Sequence, residues 1–135
     1  MNLERDLLRT LYANQWRSSG IDAILCPVNP SVASAHDEST YWGYTSAFNA
    51  LDLPGTVFPV GTVSANDTWE SEPPILGSKD KEYREYYYRD GPAKYRDAPV
   101  SLQLVGKRLR EETLLCITEL VERSLTEAKA RKIAD

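Results

Sequence analysis

The first apolar residues of the chain, Leu3, Leu7, Leu8, Leu11, Tyr12 and Trp16, recur at helical spacing and predict an amphipathic helix over residues 2–18. Glu4 and Asp6 suit the start of its dipole, and Gly20 is placed to end it. The next run, Ile21-Asp22-Ala23-Ile24-Leu25-Cys26-Pro27, is short, nearly all apolar and stopped by proline. It reads as a strand buried on both faces, the pattern of a parallel sheet covered by helices. Residues 29–40 are polar and loop-like, and Tyr41, Tyr44, Thr45 and Phe48 suggest a short helix ending before Leu51. A second strand is expected at residues 56–61, where Pro59 removes a ladder donor and implies a strand end or an edge. Residues 64–98, rich in Pro, Tyr and alternating charge, read as a surface excursion with a helical turn around 79–88. A third strand follows at residues 100–105. The last helix carries Leu114, Ile117, Val121, Leu125 and Ala128 on one stripe, widened by Cys116 and Leu120. Glu111 and Glu112 lie in its first turn and Lys129, Arg131 and Lys132 in its last, the arrangement a helix dipole favours.

Helices alternating with short strands indicate α/β architecture. Three strands are few for a sheet wrapped on both faces, so the first strand's missing partners are expected in a chain not present here. The 135 residues are one domain's worth, and 41% apolar with 27% charged residues argues against wholesale disorder. A formal net charge of −4 gives no electrostatic reason to expect nucleic acid or an anionic membrane. Cys26 and Cys116 stand in apolar company and far apart, so a pair of buried thiols in a reducing compartment is expected rather than a disulfide framework. One histidine, and no zinc-type spacing, leaves no expected metal site or cofactor. The amino terminus has neither a signal peptide's apolar core nor a transit peptide's composition, and no apolar run is long enough to span a bilayer. A soluble, cytoplasmic chain is expected.

Five pieces occur in a telling order: Asp22-Ala23-Ile24-Leu25-Cys26-Pro27; Asn49-Ala50-Leu51-Asp52-Leu53-Pro54-Gly55; Pro59-Val60-Gly61; Pro99-Val100-Ser101-Leu102-Gln103-Leu104-Val105-Gly106; and Glu111-Glu112-Thr113-Leu114-Leu115. The succession resembles the carboxy-terminal part of amidase-signature enzymes, with the flavour of fungal acetamidases and fatty-acid amide hydrolases, across roughly residues 15–125. The resemblance implies a partial domain, residues 1–135, of an α/β/α sandwich with a few-stranded mixed sheet. It implies hydrolysis of carboxylic amides in the complete enzyme by a Ser, cis-Ser, Lys triad with an oxyanion-binding Gly/Ser loop. Those parts lie upstream of the matched segment, so no catalytic residue is expected in this chain. The implied partner is the missing amino-terminal portion of the fold or a self-associated copy, and a small amide would bind only the complete enzyme. A non-catalytic binding or interaction module on the same scaffold is the alternative.

Ser18-Ser19-Gly20 echoes the oxyanion loop, but it sits between a helix and a strand as turn chemistry and has no run of glycines. Every lysine stands in a polar or helix-terminal context, whereas a lysine base needs burial beside a serine to depress its pKa. His36, Asp37 and Glu38 could be drawn with Cys26 as a thiol hydrolase, yet adjacent residues rarely point into one site. Tyr83, Tyr86, Tyr87, Tyr88 and Tyr95 interleave with basic residues like a stacking surface for single strands. Acidic residues between them leave one net positive charge over 79–97, too little for such binding. Asn49 reads as a structural, buried amide tying the short helix's end to the turn.

Pro27-Val28-Asn29-Pro30 is the most informative local feature. Ligands of α/β sheets sit beyond the carboxyl ends of strands, and in the resembled enzymes this stretch borders the substrate channel. Cys26, Val28 and Asn29 are therefore the substrate-lining candidates; a rigid proline-bracketed turn with no ligand stays open beside that reading.

Overall fold

A computed structural model describes residues 2–68 and 74–134. The elements run α1 Asn2–Ser19, β1 Ile24–Pro27, α2 Ser46–Leu51, β2 Gly55–Thr62, α3 Ser78–Lys94, β3 Pro99–Val105 and α4 Glu111–Ala134. The strands form one sheet in the order β1-β3-β2. β1 pairs antiparallel with β3, Ile24 opposite Val105 and Pro27 opposite Leu102. Beside β2, Gly106 N–H donates to Pro54 O at 2.9 Å and Val63 N–H to Ala98 O at 3.0 Å. One number rises as the other falls, so this pair is antiparallel too.

That corrects the parallel, doubly buried reading of residues 21–27, and no parallel pairing makes the sheet mixed among the described residues. β1 is an edge strand whose burial alternates, with Leu25 54% exposed. A continuous apolar run reports how much apolar surface a strand carries, not what covers it. The expectation for Pro59 holds, because β2 is the other edge, where a missing N–H is tolerated.

The chain forms two compact units. The first comprises Met1–Val28, Gly43–Phe58 and Leu102–Asp135; the second comprises Asn29–Trp42 and Pro59–Ser101.

In the first unit Trp16, Leu51, Phe58, Leu104, Val105 and Leu114 are buried. Leu114 sits where Gly106 leaves room: a Cβ there would lie 3.1 Å from Leu114 Cβ, closer than packed carbons approach. One turn on, Thr118 Oγ1 and Thr56 Oγ1 share a hydrogen bond at 2.6 Å, fastening α4 to β2. Ile117, Val121 and Leu125 are half-buried. Cys116, Leu120 and Ala128, expected in the same stripe, are exposed, so the covered face is narrower than the apolar one. α2 ends on Asp52 in the left-handed region (φ 59°), closed by Asp52 N–H to Asn49 O and Leu53 N–H to Phe48 O. The main chain ties this turn; Asn49 supplies its carbonyl and is exposed, not the buried amide expected.

In the second unit the expected helical turn is a longer helix, α3, interrupted at Gly91 (φ 68°) just before Pro92. Its sequence is polar all round, and such helices persist through charge pairs. Asp90 pairs with Arg89 and Lys94 and Glu85 with Lys81, and two further carboxylates gather more partners. Glu82 accepts from Lys79 Nζ at 2.6 Å, Thr40 Oγ1 at 2.7 Å and Tyr86 OH at 3.0 Å. Glu38, from the 29–42 loop, accepts from Lys94 Nζ at 2.6 Å, Arg89 at 2.7 Å and Tyr95 OH at 2.9 Å.

Candidate functional site

Cys26 lies on β1 opposite Gln103 of β3, on the same side of the sheet. Gln103 is a buried polar residue, 5% exposed. Its amide nitrogen donates to Pro27 O and to Tyr44 O, each at 2.8 Å, using both hydrogens. Gln103 thus ties β1's end to the chain entering α2. Burial pushes the Cys26 thiol up, and the neighbouring Gln103 amide only partly offsets it. A thiol held protonated is a poor nucleophile. Val28, in the same unit, is half-buried.

Asn29 opens the loop of the second unit. Its Nδ2 donates to Val32 O at 3.2 Å and to Ser34 Oγ at 3.1 Å, closing the turn after Pro27-Val28. Cys26 and Val28 therefore belong to one unit and Asn29 to the other. A pocket of about 270 Å³ lies in the first unit at the start of α4, lined by Asp22, Lys107, Arg110 and Thr113 among others. None of the three candidates lines it.

Ser18, Ser19, Lys79 and Lys94 have structural duties. Ser18 Oγ donates to Gln15 O at 2.9 Å and Ser19 Oγ to Trp16 O at 2.8 Å, local bonds at the end of α1. Lys79 and Lys94, paired with carboxylates, have pKa values raised, the reverse of what a lysine base needs. His36 is exposed, while its neighbour Glu38 is the ion-pair hub of the second unit. Tyr83 and Tyr86 are engaged as well: they meet edge-on at 5.9 Å, and Arg89 stacks over Tyr86 at 5.1 Å. Among the described residues no group of His, Cys, Asp and Glu could hold a metal ion, and no helix is long and apolar enough to cross a membrane.

Sequence reasoning missed Gln103 and the role of Glu38. Gln103 left a faint signal, a single amide inside the apolar run of β3; Glu38 left none, because its partners follow 51 or more residues later.

The amidase family profile matches residues 1–115. The chain belongs to the amidase family. It is similar to an amidase-type protein of Schizosaccharomyces pombe, 42% identical over 124 residues, covering 87% of this chain and 22% of that one. It is similar to the acetamidase of Emericella nidulans, 35% identical over 121 residues, covering 84% of this chain and 22% of that protein. A solved fatty acid amide hydrolase superposes on 92% of this chain with a TM-score of 0.78 and 30% identity, and 22% of it is matched. This amidase-family chain thus spans 22% of the length of these relatives.

Proposed function

We propose that this chain is a carboxy-terminal segment of an amidase-signature hydrolase, part of its α/β/α sandwich, and that it is catalytically silent alone. In the complete enzyme it would supply scaffold and, through Cys26, Val28 and Asn29, part of the wall beside the amide substrate. The observation that carries this reading is the likeness to fatty acid amide hydrolase: 92% of this chain matches 22% of that enzyme. The serines and lysines support the silent half. Ser18 and Ser19 bond to their own helix, and Lys79 and Lys94 sit in ion pairs that keep them charged.

The test is a rate measurement on the purified chain with simple aliphatic amides and anilides. No hydrolysis above a blank is expected. A saturable rate that disappears in Ser19→Ala would overturn the proposal.

A further inference from the structure

Helix α1 is apolar on two sides. At about 3.6 residues per turn, Arg9, Tyr12 and Trp16 share one side, while Leu3, Leu7 and Leu11 share the side about 180° away. The chain uses only the first. Trp16 is buried and its indole N–H donates to Ile21 O at 2.8 Å. Tyr12 meets that indole edge-on at 5.9 Å, and Arg9 Nε donates to Ala50 O at 3.2 Å. The second side is bare: Leu3 is 85%, Leu7 61% and Leu11 57% exposed. Leu8, between the two sides, is 51% exposed. Polar Asn14 and Ser18 continue the bare row, so the leucines form a bounded patch about 12 Å long.

Apolar residues on opposite sides of one helix are the pattern of an internal helix, sandwiched between two layers. A contiguous leucine row in water marks a surface made for another polypeptide. The occupant follows from the comparisons. This chain keeps the conformation that its counterpart has in fatty acid amide hydrolase, yet matches only 22% of that enzyme's length.

We propose that the Leu3, Leu7, Leu11 row is the docking surface for the remainder of an amidase scaffold, the polypeptide that such relatives carry beyond the matched stretch. This rests on the reading of the chain as an amidase segment.

A chimera tests it, with this chain replacing the matching stretch of the Schizosaccharomyces pombe relative. The same double change, Leu7→Ser with Leu11→Ser, is made in the chimera and in the isolated chain. In the chimera it should lower the thermal midpoint by at least about 5 °C, because two covered leucines are lost. In the isolated chain it should leave the fold intact and reduce self-association, because the same residues face water. An unmodified chimera that does not fold would overturn the amidase-segment reading, and with it this proposal. A chimera that folds and is indifferent to the double change would overturn the docking surface alone. Dissolution of a stable dimer of the isolated chain, beside an indifferent chimera, would assign the row to a second copy and overturn the proposal equally.

Discussion

At the scale of single residues, Gln103 shows how much one buried amide can decide. It donates to the carbonyls of Pro27 and Tyr44 at once, and each loses that donor without it. Gln103→Leu keeps the approximate bulk and removes both donors. We expect a loss of about 1–3 kcal/mol in a urea titration, since each of the two lost hydrogen bonds contributes about 0.5–1.5 kcal/mol. A loss under about 0.5 kcal/mol would mean that water reaches both carbonyls. In the sequence Gln103 was visible only as a polar residue in an apolar run. Its role was illegible because its acceptors lie 76 and 59 residues away. The two thiols expected to be buried are not: Cys26 is half-buried and Cys116 exposed, because apolar neighbours in sequence do not decide which face is covered.

At the scale of elements, periodicity was a good guide to what forms and a poor one to what covers it. α1, β2 and α4 were legible because each carries its own repeat or punctuation, down to Pro59 on an edge strand. Strand direction was not, because pairing partners are set by topology and not by composition. α3 was read too short, because its helix rests on ion pairs with a distant loop rather than on an apolar stripe. The docking of α4 can be measured directly. Leu114, 2% exposed against Gly106, should cost about 2–5 kcal/mol when cut to alanine. Glu119→Ala removes a surface pair with Arg123 and should cost under about 0.5 kcal/mol. Equal, small effects in a denaturant titration would place α4 elsewhere.

At the scale of the whole molecule, the two units should respond differently to acid. In the second, the Glu82 carboxyl is held at about 2, chiefly by Lys79 and then by Thr40. Lys94, first among its partners, holds Glu38 below the ordinary carboxylate range, and Arg89 does the same for Asp90. Depressed carboxylates contribute stability that is present above their unfolded values, about 4, and is lost as pH falls through the folded ones. Lys94 and Arg89 are raised by those same carboxylates, so the pairs hold once the carboxylates ionise, persist through neutrality, and are lost from the cation side only at strongly alkaline pH. Hydrogen exchange in residues 29–42 should therefore accelerate between about pH 4 and about 2 before the amides of β1 and β3 follow. Simultaneous loss across both units would show that these ion pairs do not hold the loop. Family membership was legible from five short pieces in order, because each is local. The substrate was not legible, because no local pattern in the matched pieces specifies a ligand, and the chain spans only 22% of its relatives' length.

The Gln103 clasp also sets an order of events in time. Its acceptor at Pro27 is synthesised 76 residues before the amide that binds it. At roughly 5–20 residues per second, a ribosome leaves about 4–15 s in which that carbonyl waits on water. The entry to α2, clasped by the same side chain across 59 residues, waits almost as long. Such distant closures are slow to nucleate, because chain entropy is lost before contacts return it. Until Gln103 emerges the sheet corner stays open, and β3 is the strand that completes it.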